Sequence, residues 1–220
     1  NSIKQKKKFS FIPSLIVKHL SNILKAKFAT DKERMAPISA GFYITQRCNF
    51  KCTYCDVRKE GGINELDTLK TIEILRKLRK SVPSITISGG EPLIRNDILE
   101  ILQEAQKLKF SPINLFSNLY LLDQKPEILD YIDLLSTSLD RTDNKYDLIT
   151  GIPGSTNRIM DNIRRCAAVQ KKKNFVLNVN CVVGPHNIDN VRKVIAFVLE
   201  QRCALSISPL VNPDGSPHPD

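Results

Sequence analysis

The stretch Cys48-Asn49-Phe50-Lys51-Cys52-Thr53-Tyr54-Cys55 sets three thiols within eight residues, in the spacing C-x3-C-x2-C. A structural zinc site is closed by four ligands, usually two well-separated pairs, and this stretch has no fourth Cys or His beside it. An iron-sulfur cluster suits the crowding better. A four-iron cluster normally takes four thiolates, so three leave one iron open to a small molecule that reacts there. The stretch therefore reads as catalytic rather than structural, and the rest of the chain is organised around it.

A second motif follows in order. Ser88-Gly89-Gly90-Glu91-Pro92 stands at the end of the next apolar strand. Alone, such a run is read as a tight turn. Together with the cysteine spacing and the aromatic Tyr54 just before the last Cys, it resembles the signature of the radical S-adenosylmethionine (radical SAM) enzymes. The likeness is to the branch that often carries SPASM-type C-terminal extensions, and it runs from about residue 42 to residue 209. It implies a 4Fe-4S cluster on Cys48, Cys52 and Cys55, with the open iron chelating the amino and carboxylate groups of S-adenosylmethionine. It sets Tyr54 near the adenine, and Gly89, Gly90 and Glu91 with their backbone at the ammonium. It implies that the reduced cluster cleaves S-adenosylmethionine to a 5'-deoxyadenosyl radical, which abstracts hydrogen from a substrate. A one-electron reductant such as flavodoxin or ferredoxin is then a partner.

Strand ends supply further candidates: Asn118, Ser138, Asp140 and Asn180, for the ribose hydroxyls and the carboxylate. Each competes with a role as a cap or turn former. Three positions depart from the pattern of many relatives. Leu119 follows Ser117-Asn118 where Gly is common, Arg141 follows Ser-Leu-Asp where Gly is common, and Thr150 rather than a basic residue precedes Gly151-Ile152-Pro153-Gly154-Ser155. The competing class is a non-catalytic protein that uses the same cysteines for a structural metal or for redox sensing.

With 220 residues and 41% hydrophobic content, the chain is long enough for one sizeable α/β core. It has no run of 18 apolar residues and no signal-peptide pattern, so the expected location is cytoplasmic. Cys166, Cys181 and Cys203 stand singly in apolar patterns, as buried thiols rather than disulfide partners. The formal net charge is +10, and seven of those charges lie in residues 1–35, where nine Lys/Arg meet Asp31 and Glu33. The body is only mildly basic, which argues against a nucleic-acid substrate. In the same segment Ile12, Ile16, Leu20, Ile23 and Leu24 recur at helical spacing, with Pro13 suited to a first turn. This N-terminal basic amphipathic helix has two readings. It packs outside the barrel, or it makes a peripheral membrane contact through basic residues beside an apolar face. Under the second reading the substrate is a lipid; otherwise a peptide or small molecule remains open.

From Gly41 a strand-helix alternation repeats six times. Strands are expected over 42–45, 84–88, 112–117, 134–140, 175–183 and 204–208. Helices are expected over 65–80, 97–108, 126–132, from an N-cap at Ser155, and over 188–201. The first of them sets Leu66, Leu69, Ile72, Leu75 and Leu78 on one side. Alternate strand residues share a face, and one face collects Tyr43, Thr86, Ser88, Asn114, Ser136, Ser138, Asn178, Asn180 and Ser206. The other face is uniformly Ile, Leu, Val or Phe. A closed eight-stranded barrel fills its interior with branched apolar side chains, and a doubly wound sheet buries both faces. Polar inner faces on six strands instead indicate a partial (β/α)6 TIM-like barrel around a wet cavity. The expected domains are an N-terminal helical extension over 1–36, the barrel over 37–210, and a Pro-rich linker over 211–220 leading to a C-terminal region that holds substrate determinants.

Overall fold

The computed structural model describes residues 16–17, 20–21, 37–55 and 65–211. Within it β1 (Ser39–Tyr43), β2 (Ser84–Ser88), β3 (Ile113–Phe116), β4 (Leu134–Ser138), β5 (Val176–Val183) and β6 (Ala204–Pro209) form a single sheet. Spatial order equals chain order and every pair is parallel, so each strand must return over a crossover before pairing with the last. The crossovers carry α1 (Thr68–Ser81), α2 (Ile98–Lys107), α3 (Lys145–Thr150), α4 (Ser155–Lys173) and α5 (Val191–Glu200), plus three short 3-10 turns. β1 and β6 are the two edges, which makes the sheet an open, partial barrel.

The two faces divide as alternation requires. Ile85, Ile87, Ile113, Leu115, Leu135, Leu177 and Val179 are at most 1% exposed, and they join Leu75, Ile101, Leu102, Ile159, Ile163, Val194 and Val198 of the helices in one core. Burying the seven strand side chains alone contributes on the order of 10–20 kcal/mol before conformational entropy is subtracted. On the opposite face, hydroxyls and amides pair between neighbouring strands. Ser136 Oγ donates to Asn114 Oδ1 at 3.2 Å, and Ser206 Oγ donates to Asn178 Oδ1 at 3.0 Å. Such a row needs water or a ligand on its other side, so the concave face is the one that can receive a polar molecule.

The elements differ from the expected ones in instructive places. β1 begins three residues and ends two residues earlier than the aromatic and β-branched residues suggest, because small Ser39, Ala40 and Gly41 pair with Ser84, Ile85 and Thr86 while the chain past Tyr43 turns into the cysteine loop. In α1, Leu69 is 78% exposed. A strict three-residue repeat rotates by about 60° at each step on a helix of 3.6 residues per turn, so the stripe drifts: Leu69 falls on the exposed side, Ile72 and Leu75 are buried, and Leu78 packs partly against the core. The segment after Pro126 is a 3-10 turn, Pro126–Asp130, rather than an α-helix. Ser155 is the first residue of α4 and not its cap. The carboxylate of Asp147 caps it from α3, accepting Gly154 N–H at 2.6 Å and Thr156 N–H at 2.8 Å. Of the N-terminal apolar stripe, Ile16 and Leu20 are helical and about half exposed; Ile12, Ile23 and Leu24 lie outside the described residues. Among the described residues no helix is long and apolar enough to cross a membrane.

Candidate active site

The cysteine loop leaves the carboxyl end of β1 and is fastened from two sides. On one side Gly90 N–H donates to Thr45 O at 2.9 Å and Glu91 N–H donates to Arg47 O at 2.8 Å. The approach is so close that a Cβ on Gly89 would stand 2.3 Å from Thr45 O, and one on Gly90 2.3 Å from Arg47 O. The glycines are therefore required by backbone packing of the second motif against the first. On the other side Lys51 N–H donates to Thr150 O at 2.7 Å and Thr53 N–H to Ile149 O at 3.2 Å. These are the last carbonyls of α3, which a helix end leaves without intrahelical partners. The six-residue α3 is too short to register as a period in sequence, yet it anchors half of the loop.

Cys48, Cys52 and Cys55 all line one cavity of about 210 Å³ at the mouth of the barrel. Tyr54, Gly89, Gly90, Asn118 and Ser138 line the same cavity, so five of the eight expected cofactor contacts converge there with the thiols. Phe50, Ser88, Phe116, Ser117, Ser136, Thr137 and Tyr146 complete the wall. Of these, Phe116 stands between Asn114 and Asn118 on the inner face, where an apolar ring gives no polar signal in the sequence. Tyr146 lies on the unexpected α3.

The other three expected residues do not line this cavity. Glu91 is fully buried and does not line the cavity. Its Oε1 accepts Leu93 N–H and Ser117 Oγ–H, both at 2.9 Å, and its Oε2 accepts Asn118 N–H at 2.7 Å. Burial pushes its carboxyl up to about 7 despite those donors. Asp140, also fully buried, accepts the Tyr54 hydroxyl on one oxygen and Val182 N–H at 2.8 Å on the other. Burial raises its pKa, and these two donors act in the opposite direction. Asn180 pairs in register with Ser138 and its Oδ1 accepts Ser208 Oγ–H at 3.4 Å.

Asn118 reaches back to the first motif: its Nδ2 donates to Asn49 Oδ1 at 2.8 Å and lies 3.9 Å from Cys48 Sγ. Asn49 Nδ2 is buried without a partner among the described residues. The Cys52 thiol is pushed up to about 12, first by burial and then by Cys55 and Cys48, so the three sulfurs feel one another. Among the described residues no three Cys, His, Asp or Glu side chains converge as ligands of a single ion. A four-iron cubane does not ask for that, since each of its irons takes its own thiolate. Three thiols spread around one cavity, beside small and polar side chains, fit such a cluster with a nucleoside-bearing ligand next to it.

A partial barrel of six parallel strands with a three-cysteine loop after the first defines a cluster-binding enzyme class. The family model of the "Radical SAM superfamily" matches residues 42–198, and the chain belongs to that family. It is an enzyme, and its cofactors are a 4Fe-4S cluster and S-adenosylmethionine. The chain is 33% identical over 168 residues to a probable GTP 3',8-cyclase of Methanococcus maripaludis, covering 70% of this chain and 55% of that protein. It is 32% identical over 149 residues to molybdenum cofactor biosynthesis protein 1 of Dictyostelium discoideum, covering 64% and 23%. It thus spans about half the length of the first relative and less of the second. Among solved structures, Streptococcus suis SuiB bound to its precursor peptide SuiA matches with a TM-score of 0.69 at 21% identity, over 88% of this chain and 43% of that one. SuiB bound to S-adenosylmethionine matches with a TM-score of 0.66 at 21% identity, over 89% and 43%. At that identity the likeness is one of fold.

Proposed function

We propose that Cys48, Cys52 and Cys55 hold the 4Fe-4S cluster and that the chain uses it to cleave S-adenosylmethionine reductively and take hydrogen from a substrate seated in the open barrel. The observation that carries this reading is the convergence of all three thiols with Tyr54, Gly89, Gly90, Asn118 and Ser138 on one cavity. When bound, the reduced cluster supplies the electron that breaks a carbon-sulfur bond of S-adenosylmethionine, and the 5'-deoxyadenosyl radical so formed abstracts the hydrogen.

The protein's own residues position and enclose. Gly89 and Gly90 bring backbone to the ammonium side, while Asn118 and Ser138 offer polar groups to the ribose and carboxylate. Tyr54 walls the adenine side. Glu91 acts from behind, holding the backbone of Leu93 and Asn118 in place, and Asp140 fixes the Tyr54 hydroxyl. Asn180 supports Ser138 from the next strand. Phe50 and Phe116 present apolar surface that displaces water from the reacting atoms. A flavodoxin or ferredoxin would supply the electron. SuiB was solved with a precursor peptide, and the cyclase relative is named for GTP, so the substrate class proposed is a peptide or a small molecule.

Anaerobic reconstitution tests the reading. A reduced preparation should give a cluster electron paramagnetic resonance (EPR) signal that changes on adding S-adenosylmethionine. A cluster whose spectrum ignores the ligand would favour redox sensing or a structural metal instead.

A further inference from the structure

Arg141 stands directly after Asp140, and it is buried at 2% exposure. Its guanidinium has five N–H donors in a fixed fork, and all five are spent. Nε and Nη2 donate to the two oxygens of Asp143, each at 2.8 Å. Nη1 and Nη2 donate to the two oxygens of Asp189 at 2.6 and 3.0 Å, and Nη1 also donates to His186 O at 2.8 Å. Asp143 belongs to the loop after β4, whereas His186 and Asp189 belong to the loop after β5. One side chain therefore straps two loops of the barrel mouth together. Asn187 adds a second strap, its Nδ2 donating to Asp140 O at 2.9 Å and Val182 O at 2.8 Å.

What the strap holds is the back of Tyr54. The His186 ring lies against the Tyr54 ring with centroids 5.3 Å apart and planes tilted by 32°, and its Nε2 is buried with no partner among the described residues. The Tyr54 hydroxyl is taken by Asp140, the neighbour of Arg141. The tyrosine ring is thus gripped at its tip by the loop that carries Arg141 and along its face by the loop that Arg141 ties down. A buried Arg with two carboxylates returns little net stability, because desolvation offsets the attraction. What its bidentate geometry supplies is orientation.

We infer that Arg141 is a positioning residue of the active site, whose latch to Asp143 and Asp189 holds His186 against Tyr54 so that the cavity wall is fixed before S-adenosylmethionine arrives. The inference rests on the proposed placement of Tyr54 beside that ligand. Lys in its place keeps the charge and cannot reproduce the fork.

The test is the dissociation constant of S-adenosylmethionine, read from the ligand-induced EPR change of the reduced, reconstituted full chain, together with iron content and melting temperature. Arg141→Lys and Asp189→Asn should each bind about tenfold more weakly at full iron content, the size expected when one aromatic wall loses its preorganisation. His186→Ala should do the same. In the His186→Ala background Arg141→Lys should add less than about twofold, because the arginine acts through the histidine. Unchanged affinity in both single variants, even with a lowered melting temperature, overturns the inference, and so do fully multiplicative losses in the double variant. Should Arg141→Lys fail to fold, Asp189→Asn decides alone, since the Asp189 side chain is 59% exposed and its loss leaves the Arg141–Asp143 pair intact. A wild-type chain that shows no response to the ligand overturns this inference and the proposed function together, whereas a responsive wild type beside unaffected variants overturns the inference only.

Discussion

Replacing Glu91 by Ala separates a ligand contact from a structural strut. The carboxylate has no exposed surface and accepts three hydrogen bonds, from Leu93 N–H, Ser117 Oγ–H and Asn118 N–H, at 2.7–2.9 Å. Ala leaves all three donors without an acceptor. Each buried orphan costs about 1–3 kcal/mol. The Ser117 hydroxyl can rotate to another acceptor and Asn118 N–H lies near enough to the cavity to take water, so the low end applies to those two. The total is about 3–5 kcal/mol, a large share of the stability of an ordinary domain. Glu91→Gln keeps one oxygen and turns an amide N–H toward Asn118 N–H, which places the cost at about 1–3 kcal/mol. Urea unfolding of the cluster-free chain at pH 6 measures both. Because the same bonds hold the β3 loop, the affinity for S-adenosylmethionine should fall in step with stability across the two variants. An Ala variant within about 1 kcal/mol of wild type that nonetheless loses ligand binding would refute the strut, and place the carboxylate on the ligand.

The same residue gives a pH dependence. Its carboxyl is raised in the folded chain to about 7 by burial, against an ordinary value of 4.5, so the folded state retains a proton that the unfolded state has released. That contribution to stability is complete below about pH 4.5 and is lost as pH rises through 7, and Glu91→Gln should flatten this part of the stability profile. Gly90→Ala forces a Cβ to 2.3 Å from Arg47 O, so the cysteine loop must shift; soluble protein with reduced iron uptake is expected, and full iron content would show that the packing is looser than described. Asp147→Ala removes the cap of α4 and should cost about 1–2 kcal/mol in urea unfolding without changing iron content, whereas an unaltered midpoint would assign the capping to Ser155. Single Cys→Ala variants should divide cleanly, with iron lost at positions 48, 52 and 55 and kept at 166, 181 and 203, where buried or half-buried thiols serve the core; iron loss in the second group would contradict the ligand assignment.

The fold was legible because the strands keep strict alternation: Ile85 and Ile87 against Thr86 and Ser88 leave one face for helices and one for water. The cysteine spacing and the Gly-Gly-Glu-Pro run located the site for the same reason, since both are contiguous. What alternation does not encode is which polar group at a strand end faces the cavity and which faces a neighbouring loop. Ser138 and Asp140 share a face by parity, yet only Ser138 lines the cavity, because the chain leaves the strand at Ser138 and Asp140 turns to meet Tyr54 and Val182. Glu91 looks like a charged ligand contact in sequence and becomes a buried acceptor, because the 3-10 turn after it aims Leu93 N–H at its carboxylate. The cap of α4 escapes the sequence for a related reason: Asp147 accepts the Thr156 N–H from nine positions away, beyond the local window in which capping residues are recognised. Arg141 registered only as a departure from relatives, and its partners Asp143 and Asp189 come together only through the packing of two loops.

The most direct test of the central claim is the formation of 5'-deoxyadenosine, measured by mass spectrometry after the anaerobically reconstituted chain is mixed with S-adenosylmethionine and dithionite. The account predicts 5'-deoxyadenosine from the wild-type chain and none above background from Cys48→Ala, Cys52→Ala or Cys55→Ala. Wild-type protein with a full four-iron cluster that leaves S-adenosylmethionine intact, or a triple cysteine variant that still cleaves it, would contradict the account.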